Sequence, residues 1–223
     1  MSNCPLARLR CQPLTHRNRA AARPTWNLCR ADVEEEPVTR EAALELLHEH
    51  TKTDSLRRHA YAVEAAMRAY ALRLGGDEEK WGLVGLLHDF DYEGDPSPAS
   101  HPMRGVAILE ALGVAADVTH AIKSHAEYLG VPRESDMDRA LFAVDELCGF
   151  VIAVALVRPS KSLVDVQTRS VKRKLKDKAF ARAVSREDIV TGAAELGVPV
   201  DEHIACVIEA LRPVQETLGL CST

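Results

Sequence analysis

Glu78-Glu79-Lys80-Trp81-Gly82-Leu83-Val84-Gly85-Leu86-Leu87-His88-Asp89-Phe90 is the stretch on which the reading of this chain turns. Trp81, Val84 and Leu87 recur at the spacing of one helical face, so the segment predicts an amphipathic helix from Glu78 to Phe90. It ends on a His-Asp pair. Adjacent residues of a helix point roughly 100° apart. A metal ion near the helix end could therefore take one ligand from each side chain, with Leu86 and Leu87 anchoring the turn beneath. In a chain with nine histidines such a dipeptide is weak evidence alone. Its placement on an apolar helix adds weight.

The same periodicity extends in both directions. Helices are predicted over Arg40–Glu49, Ser55–Leu74, Pro102–Leu112, Asp117–Leu129, Met137–Val157, Ser162–Phe180, Arg186–Leu196, and Asp201 to about Leu218. Asp54, Ser185 and Asp201 read as caps, and Gly75-Gly76, Gly113, Gly130 and Gly197 as stops. No strand alternation and no internal repeat is present. Aromatics are 4% of the chain, whereas Ala and Leu dominate, which favours helix over sheet. The expected fold is one all-α domain, a helical bundle over residues 32–223.

Composition breaks near residue 32. Residues 1–31 hold six arginines (Arg8, Arg10, Arg17, Arg19, Arg23, Arg30) and no acid, and then Asp32, Glu34, Glu35 and Glu36 follow. An Arg-rich, acid-free start reads either as a disordered leader or as an organelle transit peptide, chloroplast by the look of Leu28-Cys29-Arg30-Ala31. Without a transit role the chain is expected in the cytoplasm. The net charge of −5 argues against a nucleic-acid polymer as partner. No apolar run approaches the roughly 18 residues of a membrane span. The six cysteines form no C-x-x-C pair, so neither a zinc ribbon nor a disulfide framework is expected.

Further groups with metal-ligand chemistry sit on the predicted helices. His59 lies beside Leu56, Ala60 and Val63 on a buried stripe. His125 follows Ala121 and Ile122. Asp145 interrupts Leu141-Phe142-Ala143-Val144, where an ionised carboxylate is costly unless paired or bound to metal. Imidazoles with carboxylates make an N/O site suited to Fe, Mn, Co or Zn.

The order His59, His88-Asp89, Asp145 resembles the H…HD…D pattern of the HD superfamily, all-α proteins that are largely metal-dependent phosphohydrolases. The resemblance implies that these four residues hold a first divalent ion. His101 and His125, between the pair and the last Asp, resemble the six-ligand, two-metal branch, in which Asp89 bridges the ions. Ser100-His101-Pro102 with Arg104-Gly105 is similar to a segment of bacterial HD-type nucleotide hydrolases. Ala155 to Lys161 and Ser170 to Lys176 resemble a group of bacterial HD hydrolases of unassigned role. The GYP element of cyclic-dinucleotide phosphodiesterases is missing after the pair. What the resemblance implies is a hydrolase in which His88 and Asp89 hold the catalytic ions and the substrate is a small phosphate ester or nucleotide. Diiron oxygenases of the same superfamily share these ligands and are the first alternative. A non-catalytic metal-binding scaffold is the second.

Other polar residues have two readings each. Arg158 and Lys161 either bind substrate phosphate or complement the dipole of the preceding helix. Lys123 is a further phosphate candidate. Asp91 and Glu93 either touch a metal-bound water or are ordinary loop groups. The Lys172–Lys178 run reads as a solvated face, and His48, His50, His120 and His203 as solvated or packing residues.

Overall fold

The computed structural model describes residues 38–221, so the expected leader over 1–31 lies outside the described residues. Among those described there are nine α-helices and no strand. They are α1 (Arg40–His50), α2 (Asp54–Leu74), α3 (Glu78–Leu87), α4 (Met103–Ala111), α5 (Ala116–His125), α6 (Asp136–Leu156), α7 (Thr168–Leu175), α8 (Arg186–Glu195) and α9 (Val200–Leu211). The all-α reading is correct. No helix of the described residues is long and apolar enough to cross a membrane.

The most apolar of the long helices, α6, is the one around which the others pack: α2, α5, α8 and α9 all lie against it. Its start is fixed by a capping box. The Ser135 hydroxyl accepts from Asp138 N at 3.1 Å, and the Asp138 carboxylate accepts from Ser135 N at 2.9 Å. Pro159 lies just past its end. Leu141, Leu147 and Phe150 of α6 meet Met67 and Tyr70 of α2 and Leu86 of α3 in one fully buried core.

Two glycines set how closely the helices approach. A Cβ on Gly85 would lie 2.8 Å from the Val63 carbonyl oxygen, and one on Gly192 would lie 2.5 Å from Ala143 Cα. Only glycine lets α3 press onto α2, or α8 onto α6, at these points. Gly85 thus sets the depth at which the next turn, carrying His88, enters the core.

A buried histidine locks three helices. His203 of α9 donates from Nε2 to the Ala143 carbonyl of α6 at 2.8 Å, and its Nδ1 accepts from the Tyr70 hydroxyl of α2 at 2.6 Å. Burial pushes this imidazole down to about 4.

The structure corrects several boundaries. The helix expected over Ser162–Phe180 shrinks to α7. Leu163 N and the Ser162 hydroxyl both bond Gln215 Oε1 at 3.1 Å, while Val164 N bonds the Ser162 hydroxyl, which removes those groups from a helical ladder. At the other end Asp177 accepts from Ala179 N and closes a turn. Helix α3 stops at Leu87 rather than Phe90, which leaves His88 at its C-cap. The expected caps Asp54 and Asp201 lie in the first turns of α2 and α9, with Thr53 and Pro199 at the cap positions.

Candidate metal centre

Five segments converge on one spot. His59 comes from α2, His88 and Asp89 from the end of α3, His101 from just before α4, His125 from the last residue of α5, and Asp145 from the middle of α6. The gathered atoms form two triads, His59–His88–Asp145 and Asp89–His101–His125, each with ligand atoms within 4.8 Å of one another. Each triad could hold a metal ion. His59 Nε2 is 2.9 Å from Asp145 Oδ1, and His88 Nε2 is 3.4 Å from the same oxygen. Asp89 spans the two groups: Oδ2 faces His88 Nε2 at 3.5 Å, and Oδ1 faces His101 at 3.2 Å and His125 at 3.4 Å.

The far side of each of three imidazoles is held from behind. His88 Nδ1 donates to the Gly85 carbonyl at 2.8 Å, and His125 Nδ1 to the Ile122 carbonyl at 2.6 Å. A carbonyl only accepts, so the proton of each neutral ring sits on Nδ1 and the lone pair of Nε2 points at the triads. His101 Nδ1 meets Asp91 Oδ1 at 2.8 Å, and Asp91 Oδ2 accepts from Gly105 N at 2.9 Å. His88 Nε2 is fully buried and has no hydrogen-bond partner. A buried polar atom is expected to be satisfied, and a cation between His88 and the two carboxylates would satisfy this one. The residues therefore fit divalent metal.

Electrostatics lead to the same conclusion. Burial opposes the charge of Asp89, yet the His88 charge and bonds from His101 and His125 hold it well below the usual carboxylate range. Asp145 is likewise held low, by His59 and His88 against its burial. Burial pulls His101 down, but Asp89 and Asp91 override it and push it up to about 9, and His88 is also raised, by Asp89 and Asp145. The carboxylates demand positive charge, and ion binding would exchange protons for metal.

Above the triads opens a cleft of about 860 Å³. His59, Asp89, His101, His125 and Asp145 line its floor, and Tyr92, Tyr128, Phe142, Glu146 and Asp188 its walls. Among the described residues, no lysine or arginine lines it. Three residues read as substrate contacts lie outside this lining. Lys123, two positions before His125, points to another face and pairs with Glu110 at 2.7 Å. Arg158 and Lys161 follow the end of α6, which lies about 16 Å along the helix axis from Asp145 at 1.5 Å per residue, and neither lines the cleft. The Lys161 carbonyl instead accepts from Cys221 N at 2.9 Å.

Sequence reasoning left the two loop acids open, and the structure separates them. Asp91 is buried and orients His101. Glu93 accepts from Lys52 N, and from the Thr53 hydroxyl at 2.6 Å, at the start of α2. Three features had no sequence signal. Glu146 lines the cleft beside Asp145, where burial and the Asp145 charge push it up to about 7. The Tyr128 hydroxyl donates to the His101 carbonyl at 2.7 Å. The guanidinium of Arg186 donates to the carbonyls of Phe180, Ala181 and Val184 and lies over the Phe150 ring. It gathers the loop whose Ala183 and Val184 form the outer wall of the cleft. Ala181 in this loop takes a φ of 40°, which side chains other than glycine rarely adopt.

Residues 56–148 match the family model of the HD domain, a span that contains all six converging residues. No curated protein and no solved structure matches the chain.

Proposed function

On the premise that this chain carries an HD domain across residues 56–148, we propose that it is a metal-dependent phosphohydrolase with two divalent ions, of Fe, Mn, Co or Zn. The observation that carries the proposal is the partnerless, fully buried Nε2 of His88 between two carboxylates. His59, His88 and Asp145 would hold the first ion and His101 and His125 the second, with Asp89, whose carboxylate faces both triads, serving each. Such ions supply a water of lowered pKa and stabilise charge on phosphoryl oxygens. Hydrolysis adds water across the P–O ester bond and releases inorganic phosphate and the alcohol.

The protein's own groups orient this chemistry. Gly85 and Ile122 carbonyls and the Asp91 carboxylate fix the ring planes of His88, His125 and His101. Tyr128, bonded to the His101 carbonyl, and Tyr92, edge-on to the His101 ring at 5.1 Å, flank the second triad on the cleft side. The substrate is a small phosphate ester. The strongly acidic cleft does not suit a nucleic-acid polymer.

A second reading, a diiron oxygenase on the same ligands, draws support from the absence of lysine and arginine among the described residues lining the cleft. The test is elemental analysis of purified protein, then a panel of phosphorylated metabolites with each of the four metals, with and without O2. Phosphate release that is independent of O2 is expected. Oxygen consumption with iron and no phosphate release would replace the hydrolase by the oxygenase. Bound metal with neither activity would make the protein a scaffold.

A further inference from the structure

The two triads are not supported alike. His59, His88 and Asp145 come from α2, α3 and α6, helices that pack on one another around the core. His101 instead precedes α4, which packs chiefly on α5, and His125 is the last residue of α5. Asp91 turns one of these rings and the Ile122 carbonyl the other, but neither bond ties the two histidine segments together. The chain leaving α5 does so. It makes a single 3-10 turn over Glu127–Leu129, reverses at Gly130 with a φ of 64°, and reaches Arg133. Near its start the Tyr128 hydroxyl donates to the His101 carbonyl at 2.7 Å. At its far end Arg133 returns to the other histidine. Its Nη1 donates to the carbonyl of Ser124, the residue before His125, at 3.4 Å, and its Nη2 donates to Glu127 at 3.4 Å. The same guanidinium grips Glu195 of α8 through bonds of 2.6 and 2.7 Å and lies 3.7 Å from the centre of the Phe142 ring of α6. A bidentate carboxylate and an aromatic face together fix a planar guanidinium, a fit that lysine lacks.

Among the described residues, no bond of Tyr128 or Arg133 reaches α2 or α3. Their hold falls on the main chain beside His101 and His125, and through Glu195 and Phe142 it anchors that main chain to α8 and α6. A site whose ligands are already in place binds more tightly, because the ordering cost is not charged to the ion. We propose that Tyr128 and Arg133 are positioning residues for the second triad, and that they set its affinity for a divalent ion separately from that of the first. This rests on the two-ion reading above and not on the reaction the ions serve.

The test is calorimetric titration of the chelator-treated full chain with Co(II), which reads the two affinities separately. Tyr128 is 53% exposed, so Tyr128→Phe removes the hydroxyl and leaves the core as it is. Tyr128→Phe and Arg133→Lys are each expected to bind the first ion as wild type does and the second about tenfold more weakly. Lys123→Ala breaks the Lys123–Glu110 pair between α5 and α4 without touching either histidine's main chain, and it should keep both affinities. A merely structural role would lower the melting temperature of the metal-free protein and leave the ratio of the two affinities unchanged. That result overturns the proposal, as do two unaltered affinities in both variants. Should Arg133→Lys fail to fold, Tyr128→Phe alone decides. A wild type that binds a single ion refutes the two-ion reading and this proposal with it, whereas two ions in wild type and an unmoved second affinity refute this proposal alone.

Discussion

His88 and His203 are both fully buried, and what surrounds their ring nitrogens separates a ligand from a lock. His203 has both nitrogens satisfied inside the protein, one by the Ala143 carbonyl and one by the Tyr70 hydroxyl. His88 has only Nδ1 satisfied, and its Nε2 faces carboxylates with no hydrogen bond. Burial alone lowers both imidazoles. At His203 it wins, and the ring is neutral. At His88 two carboxylates reverse it. A buried histidine thus becomes a candidate ligand through an open lone pair and uncompensated negative charge, not through depth.

The sharpest test of the contrast exchanges the two regions' roles in mutants. Asp89→Ala removes the carboxylate facing both triads and is expected to lose both ions and all phosphatase activity by elemental analysis and assay. His203→Ala is expected to keep its metal. It leaves the Tyr70 hydroxyl and Ala143 carbonyl unpaired beside a cavity, a cost of about 3 kcal/mol. Calorimetry should show a melting temperature lower by roughly 10 °C. Metal loss in the His203 variant, or full metal in the Asp89 variant, would break the distinction.

Acidity should act on the two regions with opposite sign. His203 has a folded value near 4 against an unfolded value of about 6.5. A depressed imidazole gives its stability in full above about 6.5 and loses it as the pH falls toward 4, roughly 3 kcal/mol in all. His101 in chelator-treated protein is raised to about 9. Its contribution is complete below about 6.5 and fades as the pH rises through 9. Urea unfolding of chelated protein should therefore show stability falling on both sides of pH 6.5. His203→Gln should flatten the acid limb only. A variant that keeps both limbs would mean that other groups set the pH dependence.

The smallest effects belong to cations away from the cleft. Lys123→Ala and Lys161→Ala are expected to leave kcat/KM and metal content at wild-type values. Loss of the Lys123–Glu110 pair should cost at most about 1 kcal/mol. A raised KM in either variant would return that residue to the substrate.

Much of the centre was legible because helical spacing is local. Trp81, Val84 and Leu87 place His88 at the end of a buried face, and Asp145 stands out in α6 because its neighbours are apolar. The role of Asp91 was not legible, because nothing near it in sequence shows that it reaches the His101 ring and the Gly105 amide. The basic stretch from Ser162 to Phe180 was misjudged for a related reason. Its helical propensity loses to Gln215, a residue some fifty positions away that takes its backbone and hydroxyl groups.

By itself the sequence determined the all-helical class, the residues able to bind metal and the helices that carry them, since each follows from residue type and from a periodicity spanning a few turns. Only the tertiary structure decided how those residues divide into two triads, that Asp89 faces both, that His203 is a lock, and that Arg158, Lys161 and Lys123 are not among the residues lining the cleft, whose further acids are Glu127, Glu146 and Asp188. These depend on distances between helices remote in sequence, and such distances are set by close approach at glycines such as Gly85 and Gly192 and by the packing around α6.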